Sequence, residues 1–398
     1  MRSDSVFALA LVVGMLGCGR ETESPTGPAT ETPKPEPALT SAAATGALAF
    51  YQMSGAGFQT CGVTTDYRAY CWGIYAELGD GTANGSPTPV AVAGGHLFRQ
   101  ISTDAETACA VTTDHRAYCW GDNGDGQLGD GTTNRSLIPV AVQGGHLFYQ
   151  VDVGSAHTCG VTYPDRRAYC WGFNGAGELG DGTITTRIKP VPVAGAHQFR
   201  EVSGGAYHTC GVTTADQAYC WGWNQFGQLG DGSDVSYRPR PTLVAGGHAF
   251  RQLSAGSEHV CAVTTDHRAF CWGYGRIGQI GDGKTYLRFT PRAVAGGLAF
   301  DRVSAGGGQT CGETSANLAY CWGSNENGGL GDGTTTPRLT PVPVAGGLSF
   351  AQVSAGGWHA CGKTPAGVGY CWGRNDLAQL GDGTTIQRLT PVPVAGPM

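Results

Sequence analysis

The chain has 398 residues, a formal net charge of −6 and 25 Lys and Arg spread along its length. That distribution excludes a nucleic-acid partner, because phosphate binding relies on clustered cations. Glycine is abundant at 66 residues, but it sits among aromatic and β-branched neighbours, which marks turns of a β-rich fold and not a disordered tract.

The N-terminus reads as an export signal. Arg2 precedes an apolar run, Val6 to Leu16, too short to span a bilayer as a helix and of signal-peptide length. It ends in Met15-Leu16-Gly17-Cys18-Gly19, which resembles the lipobox of bacterial lipoproteins. The resemblance implies lipidation at Cys18, a membrane tether, and residues 1–18 as the signal. Met15 stands where leucine is usual and Asp4 weakens the basic region, so an ordinary secretory signal cut nearby is the alternative. Residues 19–46, with Pro25, Pro28, Pro33, Pro35 and Pro37 among Thr, Glu and Ala, read as an unstructured linker. Residues 47–398 are expected to form one folded domain.

From Ala47 onward the text recurs with a period of about fifty residues, a length that signals propellers or solenoids. A Cys-Trp-Gly landmark returns seven times, at Trp72, Trp120, Trp171, Trp221, Trp272, Trp322 and Trp372. Each repeat holds four short apolar segments between glycine-rich turns. In the last copy these are Phe350–Ser354, His359–Gly362, Tyr370–Gly373 and Pro391–Val394. Alternation with period two predicts strands, and no stretch beyond the signal has helical spacing. Four strands taken seven times predict an all-β, seven-bladed β-propeller of four-stranded antiparallel blades.

Fourteen of the fifteen cysteines fall into close pairs: Cys61 with Cys71, Cys109 with Cys119, Cys159 with Cys170, Cys210 with Cys220, Cys261 with Cys271, Cys311 with Cys321 and Cys361 with Cys371. Cys261 and Cys271 flank a hairpin around Asp266, which places them opposite each other on neighbouring strands, within disulfide reach. The third pair has one extra residue, assigned to its turn. Zinc is the competing reading, but two thiolates without further local ligands make an incomplete site. Disulfides place the chain in an oxidising compartment, leaving Cys18 for the anchor. The segments at the two ends, Phe50–Ser54 and Pro391–Gly396, are joined inside the chain by Ala-Gly-Gly turns such as Ala345–Gly347. Such turns suggest neighbouring strands of one blade, so the terminal segments are expected to pair and fasten the ring.

The string His208-Thr209-Cys210-Gly211-Val212-Thr213, followed by Tyr219-Cys220-Trp221-Gly222 and Asn224-x-x-Gly227-Gln228-Leu229-Gly230, resembles the repeat of the regulator of chromosome condensation family. The resemblance runs over all seven repeats. It implies the seven-bladed fold, and function only weakly, because the fold carries unrelated binding tasks. The best-known member is a nuclear guanine-nucleotide exchange factor that binds chromatin. This chain lacks a long insertion between repeats and a basic tail, and it carries the export signal and cysteine pairs, so exchange activity is the alternative. Exported bacterial relatives include an enzyme inhibitor acting through loops on one face, a second alternative. A plant photoreceptor of the family needs a tryptophan cluster. Only Trp223 and Trp358 lie outside the landmark here, so photoreception is not expected.

Several repeated residues invite chemistry. His157, His208, His259 and His359 recur at one position, and read as structural side chains bonding a turn backbone, with a metal ring as the alternative. Asp80, Asp130, Asp181, Asp231, Asp282, Asp332 and Asp382 sit in tight loops and read as turn formers. Calcium is the alternative there, although Asp122–Gly126 does not keep the EF-hand ligand alternation. No nucleophile–base pair stands out; neither catalysis, cofactor nor metal is expected.

Differences between the repeats carry the functional signal. Loops after the first and third strands emerge on one face, and these vary. One position reads Phe58, Glu106, Ala156, Tyr207, Glu258, Gly308, Trp358; the residue after Cys-Trp-Gly reads Ile74, Asp122, Phe173, Trp223, Tyr274, Ser324, Arg374. Large aromatics of this kind enrich protein interfaces; packing between blades is the competing explanation. The expected binding face comprises Phe58, Glu106, Phe173, Tyr207, Trp223, Glu258, Tyr274 and Trp358. The whole reads as an exported, lipid-anchored monomer displayed at the outer membrane or cell surface, with secretion or a periplasmic location as the alternative. It recognises a protein or glycan.

Overall fold

The computed structural model describes residues 48–74, 77–104 and 106–397; Cys18, the signal and the proline-rich linker lie outside them. In the first repeat β1 (Phe50–Gly55), β2 (Thr60–Thr64), β3 (Ala69–Gly73) and β4 (Ser86–Ala91) form an antiparallel meander in the order β1-β2-β3-β4. Six further four-stranded sheets of the same order follow, giving seven blades. The first strands of successive blades contact one another around the axis, and the first strand of blade 7, Gln352–Ala355, contacts β1. The ring is therefore a closed seven-bladed propeller, as the period predicts. The fourth strands are the outer edges. Pro87 and Pro89 in β4 remove backbone donors there, which discourages edge-to-edge pairing with other chains.

The core lies between blades. Cys61, Val63, Ala69 and Cys71 of blade 1 pack against Phe98, Ile101, Ala108, Ala110 and Trp120 of blade 2. Equivalent clusters fill the other interfaces. The landmark tryptophans are fully buried, each beside a glycine of the preceding blade. A Cβ on Gly129 would approach the Trp171 ring to 2.7 Å, and Gly129 has a φ of +67°, a conformation that disfavours other residues. That double demand explains the Leu-Gly-Asp-Gly signature.

All seven predicted cysteine pairs are bridged. Cys61 joins Cys71, Cys109 joins Cys119, Cys159 joins Cys170 and Cys210 joins Cys220. In the last three blades Cys261 joins Cys271, Cys311 joins Cys321 and Cys361 joins Cys371. Their Cα atoms are 4.0–4.1 Å apart and directly opposed across the second and third strands. The extra residue between Cys159 and Cys170 lies in the turn, where Thr162 N–H donates to Arg167 O. Seven bridges are the signature of an oxidising, extracellular environment. Among the described residues no helix is long and apolar enough to cross a membrane.

Ring closure differs from the expectation. The terminal segments do not pair: β1 pairs only with β2, and Arg388–Pro393 pairs with the third strand of blade 7. The Ala-Gly-Gly turns join one blade to the next, not two strands of one blade. Closure comes instead from bonds that recur at each blade interface: backbone bonds such as Phe50 N–H to Gly367 O at 2.7 Å, and side chains on the axis. Gln52 donates to Ile101 O and accepts from Ile101 N–H, both at 2.9 Å, imitating a backbone pair to the next blade. Gln100, Gln150, Gln252 and Gln352 do the same. Two residues later Ser54, Ser102, Asp152, Ser203, Ser254, Ser304 and Ser354 each accept a backbone N–H from the following blade. Gln352 and Ser354 make these bonds to Met53 and Gly55, and Phe50, Met53 and Trp72 pack on Cys361, Cys371 and Leu380. The seam between the chain ends is thus built like every other interface.

Candidate functional site

The four histidines are structural, but their partners are not turn backbones. His157, His259 and His359 each place Nε2 2.8 Å from a threonine hydroxyl of the next blade, Thr209, Thr310 and Thr60. Each threonine donates its single hydrogen to a carbonyl, those of Glu178, Gln279 and Gln379, and each carbonyl also accepts an indole N–H. The histidine must therefore donate through Nε2, leaving Nδ1 bare. Burial holds these imidazoles neutral, with pKa values pushed down to about 4 for His157 and about 3 for the other two. For His208 the next blade has Val260 at the repeat position that holds threonine for the others, and among the described residues neither of its ring nitrogens has a partner. Val260→Thr is expected to restore the missing relay to Gln228 O and to stabilise the fold by about 1 kcal/mol, read as a raised urea midpoint at unchanged slope; an unchanged or lower midpoint refutes the relay.

The repeated aspartates close their own turns. Asp181 accepts from the Thr183 amide at 2.8 Å and hydroxyl at 2.7 Å, and its other oxygen meets Arg187 at 3.1 Å. Asp332 and Asp382 repeat the arrangement with Arg338 and Arg388. Their carboxylates are held below the ordinary range by these hydrogen bonds and the guanidinium, which outweigh the opposing effect of burial.

The loops after the first and third strands share one end of the axis, and they bring the variable residues together. Phe173, Tyr207, Trp223, Phe226 and Tyr274 form a continuous aromatic arc across blades 3 to 5, with successive ring centroids 6.5, 5.9, 5.1 and 5.1 Å apart. Across the mouth Trp358 lies 6.3 Å from Phe58 and beneath the Arg374 guanidinium, which Asp376 fixes in a bidentate pair. Tyr207 and Trp358 are 47% and 41% exposed, so inter-blade packing does not consume them. Glu106 stands apart on blade 2; burial first, then Glu77 and Asp122, raise its pKa. Phe226 was not among the expected residues. Its signal is a third variable column, Asp125, Ala176, Phe226, Ile277, Asn327, Leu377, one residue before the loop glycine or alanine.

Between these groups opens a funnel of about 550 Å³, floored by serines and glycines of the first strands and their loops, with Phe58, Glu258, Ile277 and Trp358 in its wall.

A match to the RCC1-like domain covers residues 13–312, and matches to the regulator of chromosome condensation (RCC1) repeat cover 317–362 and 367–398. The chain belongs to the RCC1-like family. It is 32% identical over 126 residues, 31% of its length, to the ultraviolet-B receptor UVR8 of Arabidopsis thaliana, and the match spans 29% of that receptor. Among solved structures, Prp20p from Saccharomyces cerevisiae is similar with a TM-score of 0.74 at 18% identity, over 84% of this chain and 87% of that one. Human WBSCR16 gives a TM-score of 0.72 at 21% identity, over 79% and 86%. These likenesses carry the fold of the RCC1-like ring to this chain.

Proposed function

We propose that this RCC1-like propeller is an exported binding scaffold, tethered through a lipid on Cys18, that recognises a protein partner through the face bearing the aromatic arc. One observation carries the proposal: the residues that differ between repeats converge on one end of the ring as adjoining, partly exposed aromatic side chains. Interfaces concentrate their energy in such anchors. Named relatives support a binding role, one being a receptor and another studied for its binding to Gsp1p and histones. The disulfides support export, and Cys18 supports the tether.

The test is crosslinking of the intact surface-displayed protein, comparing the native chain with Tyr207→Ala, Trp223→Ala and Trp358→Ala. Each variant is expected to lose its specific crosslinks while keeping its melting temperature within a few degrees, since truncating an interface anchor costs about 2 kcal/mol or more of binding. Unchanged crosslinks in all three, with the fold intact, refute the face. Labelled palmitate incorporation that survives Cys18→Ser refutes the tether.

A further inference from the structure

We propose that the end of the ring opposite the funnel rests on an anionic lipid surface through a patch on blades 1 to 3, turning the aromatic arc outward; this rests on the lipid tether proposed above. The patch lies where the hairpin turns after the second strands meet the starts of the first strands. Tyr51 lies 6.5 Å from Tyr67, ring to ring. Tyr67 O accepts from Phe98 N–H, between Leu97 and Arg99, and His115 O from Phe148 N–H, between Leu147 and Tyr149, both at 2.7 Å. His115 stacks on Tyr163 at 4.2 Å, Tyr149 meets Tyr163 at 4.9 Å, and Arg166 lies 4.3 Å over the Tyr149 ring. The patch is thus continuous, and Tyr51, Tyr67, Leu97, Leu147 and Tyr163 in it are exposed.

Most positions at this end repeat from blade to blade, and the exceptions gather on one side. The residue before the first-strand phenylalanine is Leu97 and Leu147 in blades 2 and 3, but Gln198, Ala249, Ala299 and Ser349 in blades 4 to 7. The residue after it is Tyr51, Arg99 and Tyr149 in blades 1 to 3; in blade 4 Arg200 is paired with Asp216, and in blade 5 Arg251 and His267 share Asp301. The hairpin turns and first-strand starts of blades 1 to 3 carry five arginines, Arg68, Arg99, Arg116, Arg166 and Arg167, against three aspartates, Asp66, Asp114 and Asp165, in a chain of net charge −6. That local excess of cations suits anionic headgroups, and tyrosine and leucine suit the lipid–water boundary. Placement favours a bilayer over a protein. Ala49 pairs with Val368 and accepts from Thr65 N–H at 2.8 Å, so the chain enters the ring at this end, beside Tyr51 and Tyr67. Leu48 stands thirty positions after Cys18, and a chain of that length reaches at most about 100 Å. Anchoring makes the second contact intramolecular, so a patch of modest affinity suffices. A protein partner sets no such condition on which end it meets.

The intact chain is incubated with vesicles of phosphatidylcholine, alone or with about one third phosphatidylglycerol, and its tyrosines are nitrated and read by mass spectrometry. On the anionic vesicles Tyr51, Tyr67 and Tyr163 are expected to react at least ~5-fold more slowly than on the neutral ones, the scale of a single arginine held at an anionic surface. Tyr207 and Tyr286, exposed at the funnel end, are expected to change less than ~2-fold, because charge at that distance is screened. Arg99→Gln combined with Arg166→Gln should abolish the protection. Arg135→Gln combined with Arg276→Gln removes the same charge from the funnel end and should keep it. Equal loss in both pairs means bulk attraction and overturns the proposal. So do unchanged rates throughout, protection of Tyr207 and Tyr286 in place of the patch, or protein crosslinks that disappear with Tyr51→Ala and Tyr163→Ala. Palmitate label that survives Cys18→Ser while the protection is seen sinks the tether and leaves the patch. Label lost in Cys18→Ser, with no protection in the native chain, sinks the patch and leaves the tether.

Discussion

Reduction of the seven disulfides is expected to leave the chain unable to hold its fold at 37 °C. Each bridge spans a sequence separation of 10 or 11 residues, worth up to ~3 kcal/mol in the chain-entropy account and less where the hairpin already forms. Even at half that value, seven together are on the order of 10 kcal/mol, comparable with the whole stability of a typical domain. Burial adds kinetic protection: every bridged cysteine is fully buried in a blade interface, so a reductant must wait for opening. The native protein is therefore expected to resist a mild reductant at 25 °C for hours. After unfolding, reduction and dilution, its far-ultraviolet circular dichroism should show no cooperative melt. A reduced form that melts within ~5 °C of the oxidised one refutes this. The same physics predicts that expression in a reducing cytosol yields misfolded chain.

Stability is expected to peak in mildly acid solution, because two buried sets of groups pull in opposite directions. Burial raises the carboxyl pKa of Asp152 to about 6, of Glu178 and Glu201 to about 7, and of Glu313 to about 8. A raised folded pKa means stability present below the ordinary carboxyl value and lost as pH climbs through the folded one. The four buried histidines are depressed to between about 3 and about 4, so their contribution is present above 6.5 and lost as pH falls. The two slopes oppose each other between about 4.5 and 6.5. Above that window only the carboxylates act, and the fold should lose about 3 kcal/mol between pH 6.5 and 8, at roughly 1.4 kcal/mol per unit per proton. Glu201→Gln keeps an oxygen for Leu253 N–H, which now bonds Glu201 at 2.6 Å, and removes the ionisation. It should raise stability at pH 8 by about 1–3 kcal/mol and leave pH 5 nearly unchanged. Equal effects at both pH values would assign the gain to packing instead.

Much of the fold was legible because its determinants are local. Alternation in Phe350–Ser354 or the spacing of Cys261 and Cys271 depends on a handful of neighbouring residues, and a seven-fold repeat displays each pattern seven times. The turn role of the aspartates was legible for the same reason, since their partners lie two to seven residues away. The histidines were half legible: their recurrence marked a structural position, but the threonine lies about fifty residues on for His157 and His259, and back at Thr60 in the first blade for His359. Phe226 was not legible as a site residue, because its place in the arc depends on Trp223 and, in the next blade, Tyr274, which only the folded ring brings against it.

The axis shows most clearly what sequence order conceals. Arg302 occupies a position where five other blades have glutamine, and cannot accept the next blade's N–H. Glu313, from a neighbouring strand of the same blade, accepts from Val353 instead, at 3.3 Å, and Lys363 of blade 7 feels the same carboxylate. Read in order, these are three unrelated departures from a repeat; in space they are one compensated cluster.

The sequence by itself determined the blade, its hairpin bridges, the number of copies and the face on which the copies differ, because each follows from local periodicity and counting. Only the tertiary structure decided how the ring closes and which variable side chains meet around one funnel. Those depend on residues far apart in the chain, whose side chains bond the backbone of another blade or touch across the mouth.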